Sequence, residues 1–171
     1  MSAPEYFAFF GVERRLNLDQ ADLQQRFYRL SRELHPDRFM RGTAAEREQA
    51  LEKSAILNDA YRVLRDPLLR AEYVVSGAGL ETGDEKRVPS ELLEKVFEVN
   101  EVLESGDRAS IESARDHLID ARDRSRADME RLFARHDAGD ESALPELRSV
   151  LNRRRYIDKL IRQVEGALAH V

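Results

Sequence analysis

The 171-residue chain contains no cysteine. Disulfides are therefore excluded, and so is any zinc or iron–sulfur site for which this chain would supply thiolate ligands. No stretch approaches the roughly 18 apolar residues of a membrane-spanning helix. Met1–Val12 carries neither a basic n-region nor a long apolar run, so no signal peptide is expected. Positive charge is not in excess. The net charge of −5 argues against a nucleic-acid binder, whose footprint is basic. Gly77-Ala-Gly79 is followed by neither a lysine nor a strong helix start, so no phosphate-cradling loop is present. His35, His117, His136 and His170 are not spaced as a metal pair on one helical turn. No grouping of nucleophile, base and orienting residue is visible. The expectation is a soluble cytoplasmic protein that is not an enzyme. It has no catalytic residue, metal site or cofactor, and it binds neither nucleic acid nor membrane.

Proline (five) and glycine (eight) are scarce, and they leave long stretches free for helix. Charged residues make up 36 % of the chain, a proportion suited to solvated helices. Helical periodicity dominates and strand alternation is absent. Asp19 caps a helix with the stripe Leu23, Phe27, Leu30, Leu34, and Pro36 stops it. A second helix starts near Thr43 with the stripe Ala50, Ser54, Leu57, Tyr61, Leu64 and ends at Asp66-Pro67. A short third segment, Pro67–Val75, starts with proline, which the first helical position tolerates. Three glycines then mark a linker over 77–89. Beyond it, Ser90, Asp107 and Ser142 open three further helices, ending near Glu104, His136 and Ala169. The middle one carries Ile111, Ala114, Leu118, Ala121, Ser125, Met129 and Leu132 on one seam. Its alternating steps of three and four suit bundle packing. The last turns Leu147, Val150, Ile157, Ile161, Val164 and Leu168 inward. The fold class read from this pattern is all-α, with a helical hairpin joined to an antiparallel three-helix bundle.

His35-Pro36-Asp37 sits between the first two strong helices. The helix before it carries Arg26, Arg29 and Arg32 on its outer face, and Arg38 and Arg41 extend the positive charge past the tripeptide. Such a patch suits an acidic protein surface and speeds encounter at low salt. Asp37, an acid set among these cations, suits a charge-assisted bond to an arginine of a partner. The second helix ends Asn58–Pro67 (NDAYRVLRDP). This arrangement resembles the J-domain, whose hairpin displays an HPD loop to a DnaK-type ATPase chaperone. The resemblance implies that residues 1–76 form a J-domain that promotes ATP hydrolysis by that partner. Its contact residues would be His35, Pro36, Asp37, Arg26, Arg29, Arg32 and Arg38.

Tyr6–Val12 (YFAFFGV), Leu68–Ser76 (LLRAEYVVS), Glu98–Glu101 (EVNE) and Arg155–Leu160 (RYIDKL) narrow the family further. Together they resemble the HscB-type co-chaperones of iron–sulfur cluster assembly. The Gly/Phe-rich segment and zinc-binding cysteines of other J-proteins are missing. On a helical wheel, Leu92, Val96, Val99 and Leu103 form a core stripe. Leu93 and Phe97 lie off it, near Asn100, Glu101 and Glu104. Tyr156 falls opposite the stripe of the last helix, beside Asn152, Arg155 and Lys159. Exposed apolar residues rimmed by charge mark a binding surface. The other reading is that Leu93 and Phe97 fill an interface between the two domains. The resemblance implies that residues 90–171 bind an IscU-type iron–sulfur scaffold protein through Leu93, Phe97, Glu98, Glu101, Arg155 and Tyr156. It also implies a DnaK/HscA-type chaperone as the second partner. A J-domain co-chaperone for another client is the alternative.

Overall fold

The computed structural model describes residues 5–80 and 88–170. Seven α-helices and two 3-10 turns occur in them, and no strand. The chain divides into two compact units, Met1–Val74 and Val75–Val171. Of the linker expected over 77–89, residues 81–87 lie outside the described residues.

The first unit begins with α1 (Tyr6–Phe10), which ends at Gly11 in the left-handed conformation (φ 64°). A residue with a Cβ is disfavoured there. Helix α2 (Gln20–Glu33) starts where expected, because the Asp19 carboxylate accepts the Ala21 and Asp22 N–H groups. It stops before Pro36, and Pro36–Phe39 then form one 3-10 turn. Helix α3 (Ala44–Arg65) starts with a capping box, in which Thr43 and Glu46 each satisfy the other's backbone N–H. Helix α4 (Pro67–Gly77) follows at once, and the Asp66 carboxylate accepts the Leu68 and Leu69 N–H groups.

Helices α1, α2 and α3 pack on one another. Phe7, Phe10, Leu16, Leu23, Leu57, Ala60 and Leu64 are buried. The hairpin seam is pinned by Phe27 stacked on Tyr61, with ring centres 4.1 Å apart and planes 16° from parallel. An offset aromatic pair contributes about 1 kcal/mol beyond its buried area. Tyr73 of α4 stacks on Tyr6 at 4.8 Å, and its hydroxyl oxygen accepts the Tyr6 N–H.

Arg70 is a charged residue with only 3 % of its surface exposed. Its guanidinium donates to the Leu16 carbonyl at 2.7 Å and also to the Leu64 carbonyl. One side chain thus ties the segment before α2 and the end of α3 to α4. Replacing it with methionine keeps the length and removes the guanidinium that donates to both buried carbonyls. We expect Arg70→Met to lower unfolding stability by about 3 kcal/mol, read from urea titration by circular dichroism. A loss below roughly 0.5 kcal/mol, the ordinary range for a surface change, would refute this role.

The second unit holds a 3-10 turn (Ser90–Leu92), α5 (Leu93–Ser105), α6 (Arg108–Asp137) and α7 (Ala143–Leu168). Its core includes Leu92, Val99, Ile111, Leu118, Ile157, Leu160, Ile161 and Val164. Asp107 caps α6 as expected, by accepting the Ser110 N–H. Ser90 and Ser142 differ from expectation, because neither side chain caps a helix. Ser90 opens the 3-10 turn, and the Ser142 hydroxyl donates to Asp140 instead.

That second bond belongs to a clamp at the α6–α7 turn. Arg135 pairs with Asp140 at 2.7 Å and with Glu146 at 2.9 Å. The Ser142 hydroxyl and the Arg135 guanidinium hold the Asp140 carboxyl below its ordinary value of 3.8. A carboxyl lowered by folding stabilises the fold above its unfolded value, and that stabilisation fades as pH falls through the folded value. Asp140→Asn should therefore lower the melting temperature at about pH 7 and match the unsubstituted chain at about pH 2. Equal melting temperatures at both pH values would contradict the clamp.

Candidate functional site

The tripeptide His35-Pro36-Asp37 occupies the tip of the α2–α3 hairpin as an ordered 3-10 turn. Pro36 stands at its first position, where its missing N–H is no loss. The backbone is fixed by the Arg38 N–H donating to the His35 carbonyl at 3.0 Å. The side chains of His35 and Asp37 remain 56 % and 78 % exposed. A carboxylate so open to solvent is ready to pair with a cation of another molecule.

The arginines around the turn divide into two kinds. Arg29, Arg32, Arg38 and Arg41 are exposed, and the Arg38 guanidinium lies 3.5 Å from the Arg32 carbonyl. Arg26 is half-buried and engaged within the unit. It pairs with Asp22 at 2.8 Å and donates to the Gly11 carbonyl at 2.9 Å. It anchors the C-terminal end of α1 to α2, a task that its three-residue spacing from Arg29 does not reveal. Sequence reasoning misses Tyr28 and Met40, two exposed apolar residues near the turn. Tyr28 lines a shallow depression with Gln25, Ser31 and Arg32. Its position, one residue past the stripe member Phe27, was the available signal.

The second candidate surface is the outer side of α5. Leu93 and Phe97 are 45 % and 72 % exposed. Leu93, Phe97 and Glu101 follow at i, i+4 and i+8, so they form a row along the helix. Glu94, Asn100 and Glu104 are exposed around it. Glu98 lies about 100° around the helix from Phe97. It lines a separate depression with Glu91, Lys95, Arg124, Asp128 and Arg153.

Tyr156 corrects the wheel reading. It is half-buried and packs against the core of the second unit, with the Lys159 ammonium 5.2 Å from its ring centre. The reason is Leu160, buried one turn further on. The inward stripe drawn from sequence omits Leu160, and adding it widens the buried face to reach Tyr156. Arg155 is also half-buried. Among the described residues, no three histidine, aspartate or glutamate side chains are arranged to hold a metal ion. No helix of the described residues is long and apolar enough to cross a membrane.

Two families match in succession. The DnaJ domain matches residues 5–73, and the HSCB C-terminal oligomerisation domain matches residues 88–165. Between them they span both units. Among solved structures, human co-chaperone protein HscB superposes with a TM-score of 0.75 at 22 % identity, over 98 % of this chain and 84 % of that one. Chaperone HscB from Vibrio cholerae superposes with a TM-score of 0.71 at 28 % identity, over 98 % and 99 %.

Proposed function

We infer the division of labour in this chain from its family: it belongs to the HscB-type J-domain co-chaperones of iron–sulfur cluster assembly. A J-domain works with an Hsp70-type chaperone, and the co-chaperones of this family are helper proteins rather than enzymes. In our reading, the turn at His35-Pro36-Asp37 docks on an HscA-type member of that chaperone class, with Arg29, Arg32 and Arg38 steering the encounter. The residues 90–171 hold an IscU-type scaffold protein through the row Leu93, Phe97 and Glu101. Glu98, Arg155 and Tyr156 flank that contact, and Arg26 holds the end of α1 against α2 within the unit that carries the turn. In this reading the protein works in the cytoplasm, residues 1–76 serve the chaperone, and 77–89 join the two parts.

The observation that carries the scaffold assignment is Phe97. A large aromatic ring on an acidic helix face, 72 % exposed, loses free energy in water and gains it under a partner. The acidic surround favours a partner surface with cationic edges. Having no cysteine, the chain offers no thiolate to the cluster, which stays with the scaffold as cargo.

The test is co-elution of the full chain with a cysteine-based scaffold protein on size exclusion. A complex is expected with the unsubstituted chain and equally with Asp37→Asn, whose change lies in the other unit. Separate elution of the two proteins would favour a J-domain co-chaperone serving a different client.

A further inference from the structure

The exposed His35 ring looks like a direct contact for the chaperone. The geometry points to another role: we propose that His35 is a positioning residue, whose neutral ring caps the turn and sets Asp37 in place, and that protonation of the ring withdraws Asp37 from the partner. This rests on the reading that the turn is the chaperone contact.

His35 has the extended backbone of an N-cap, with φ −62° and ψ 128°. Pro36 has no N–H, so the first N–H of the turn in need of an acceptor is that of Asp37. The ring supplies the acceptor: Nδ1 lies 3.3 Å from the Asp37 nitrogen. The His35 carbonyl accepts the next N–H, that of Arg38. One residue therefore holds the backbone on both sides of the Asp37 carbonyl and leaves the carboxylate free.

The same Nδ1 lies 3.5 Å from Asp37 Oδ2. In the neutral ring, Nδ1 accepts and the proton sits on Nε2. In the charged ring both nitrogens donate. Nδ1 then can no longer accept the Asp37 N–H, and its new hydrogen finds the Asp37 carboxylate within reach. The cap is exchanged for an ion pair, and the carboxylate meant for the partner is engaged internally. The other charged residues that flank the turn along the chain are Arg32 and Glu33 at the end of α2, Arg38 and Arg41 after Pro36, and Glu46 and Arg47 at the start of α3. Glu46 accepts the Thr43 N–H, Arg38 reaches the Arg32 carbonyl and Arg47 the Met40 carbonyl. Among the described residues, Asp37 is the acid within ion-pair distance of the ring.

Two arms test this. In the first, the full chain labelled with nitrogen-15 is titrated from about pH 8 to about pH 5, across the range where imidazoles charge. The Asp37 amide proton should shift with the same midpoint as the His35 ring. In His35→Asn it should hold still through that range, because asparagine caps without titrating. An Asp37 amide that ignores the ring titration overturns the proposal. The second arm measures stimulation of an Hsp70-type ATPase. His35→Asn should stimulate about fivefold more than His35→Leu, the ratio expected for one cap. Its stimulation relative to the unsubstituted chain should rise as pH falls. An Asn variant as inactive as the Leu variant, with helical content intact, overturns the proposal in favour of direct contact. The first arm needs no chaperone. Failure of the unsubstituted chain to stimulate would therefore count against the J-domain reading, and the positioning role would be decided by the amide titration alone.

Discussion

Asp37→Asn is expected to reduce stimulation of the Hsp70-type ATPase by about thirtyfold or more, with no change in helical content or unfolding stability. The substitution keeps the shape of the side chain and keeps the backbone N–H that lies beside the His35 ring. What it removes is one negative charge, on a side chain 78 % exposed. Among the described residues that charge has the partial company of the His35 ring, 3.5 Å away, so the fold loses little. At an interface the charge meets a cation with water excluded. Truncating one member of such a pair costs about 2–5 kcal/mol, and 1.4 kcal/mol is tenfold. The steady-state ATPase rate against co-chaperone concentration reads this. Stimulation within twofold of the unsubstituted chain would remove Asp37 from the contact.

Leu93→Ala combined with Phe97→Ala should weaken scaffold binding by about 700-fold while leaving the fold as stable as before. Central aromatic and aliphatic anchors each contribute about 2 kcal/mol or more in a desolvated contact, and Phe97 is the most exposed large hydrophobic residue of the chain's described part. The neighbouring Leu92 supplies the control. It is 6 % exposed and belongs to the core of the second unit. Leu92→Ala should therefore lower unfolding stability by about 2–5 kcal/mol. Two adjacent leucines thus separate binding from stability. Isothermal titration of scaffold protein measures the first, and urea unfolding the second. Unchanged affinity in the double variant, or a destabilised fold, would place Leu93 and Phe97 in a packing role.

What was legible in the sequence follows the range of the forces involved. The starts of α2, α3 and α6 could be read because Asp19, Thr43 and Asp107 satisfy nearby N–H groups within three residues of themselves. The hairpin tip was legible because Pro36 forces a helix to end. Leu93 and Phe97 were read as exposed because the narrow stripe of α5 lies well away from them. Tyr156 was misread because the width of the buried face on α7 depends on how neighbouring helices cover it, which no single-helix wheel contains. Arg26 was misread for a similar reason. Besides Asp22 one turn away, it donates to the carbonyls of Phe10 and Gly11, fifteen or sixteen residues away. Ser142 shows the limit within a turn, where the Asp140 carboxylate competes for the same hydroxyl that would cap a helix. The partners themselves enter through family resemblance and exposed side chains, because a chain folded alone shows where its surface is unsatisfied but not what satisfies it.

The central claim is that one chain joins a chaperone-activating turn to a scaffold-holding face. The most direct measurement is the single-turnover ATPase rate of an Hsp70-type chaperone with this protein, with a cluster scaffold, and with both. The account predicts that the pair stimulates by more than the product of the two separate effects, that Phe97→Ala removes the excess, and that Asp37→Asn leaves little beyond the scaffold's own effect. Equal stimulation with and without scaffold would contradict it.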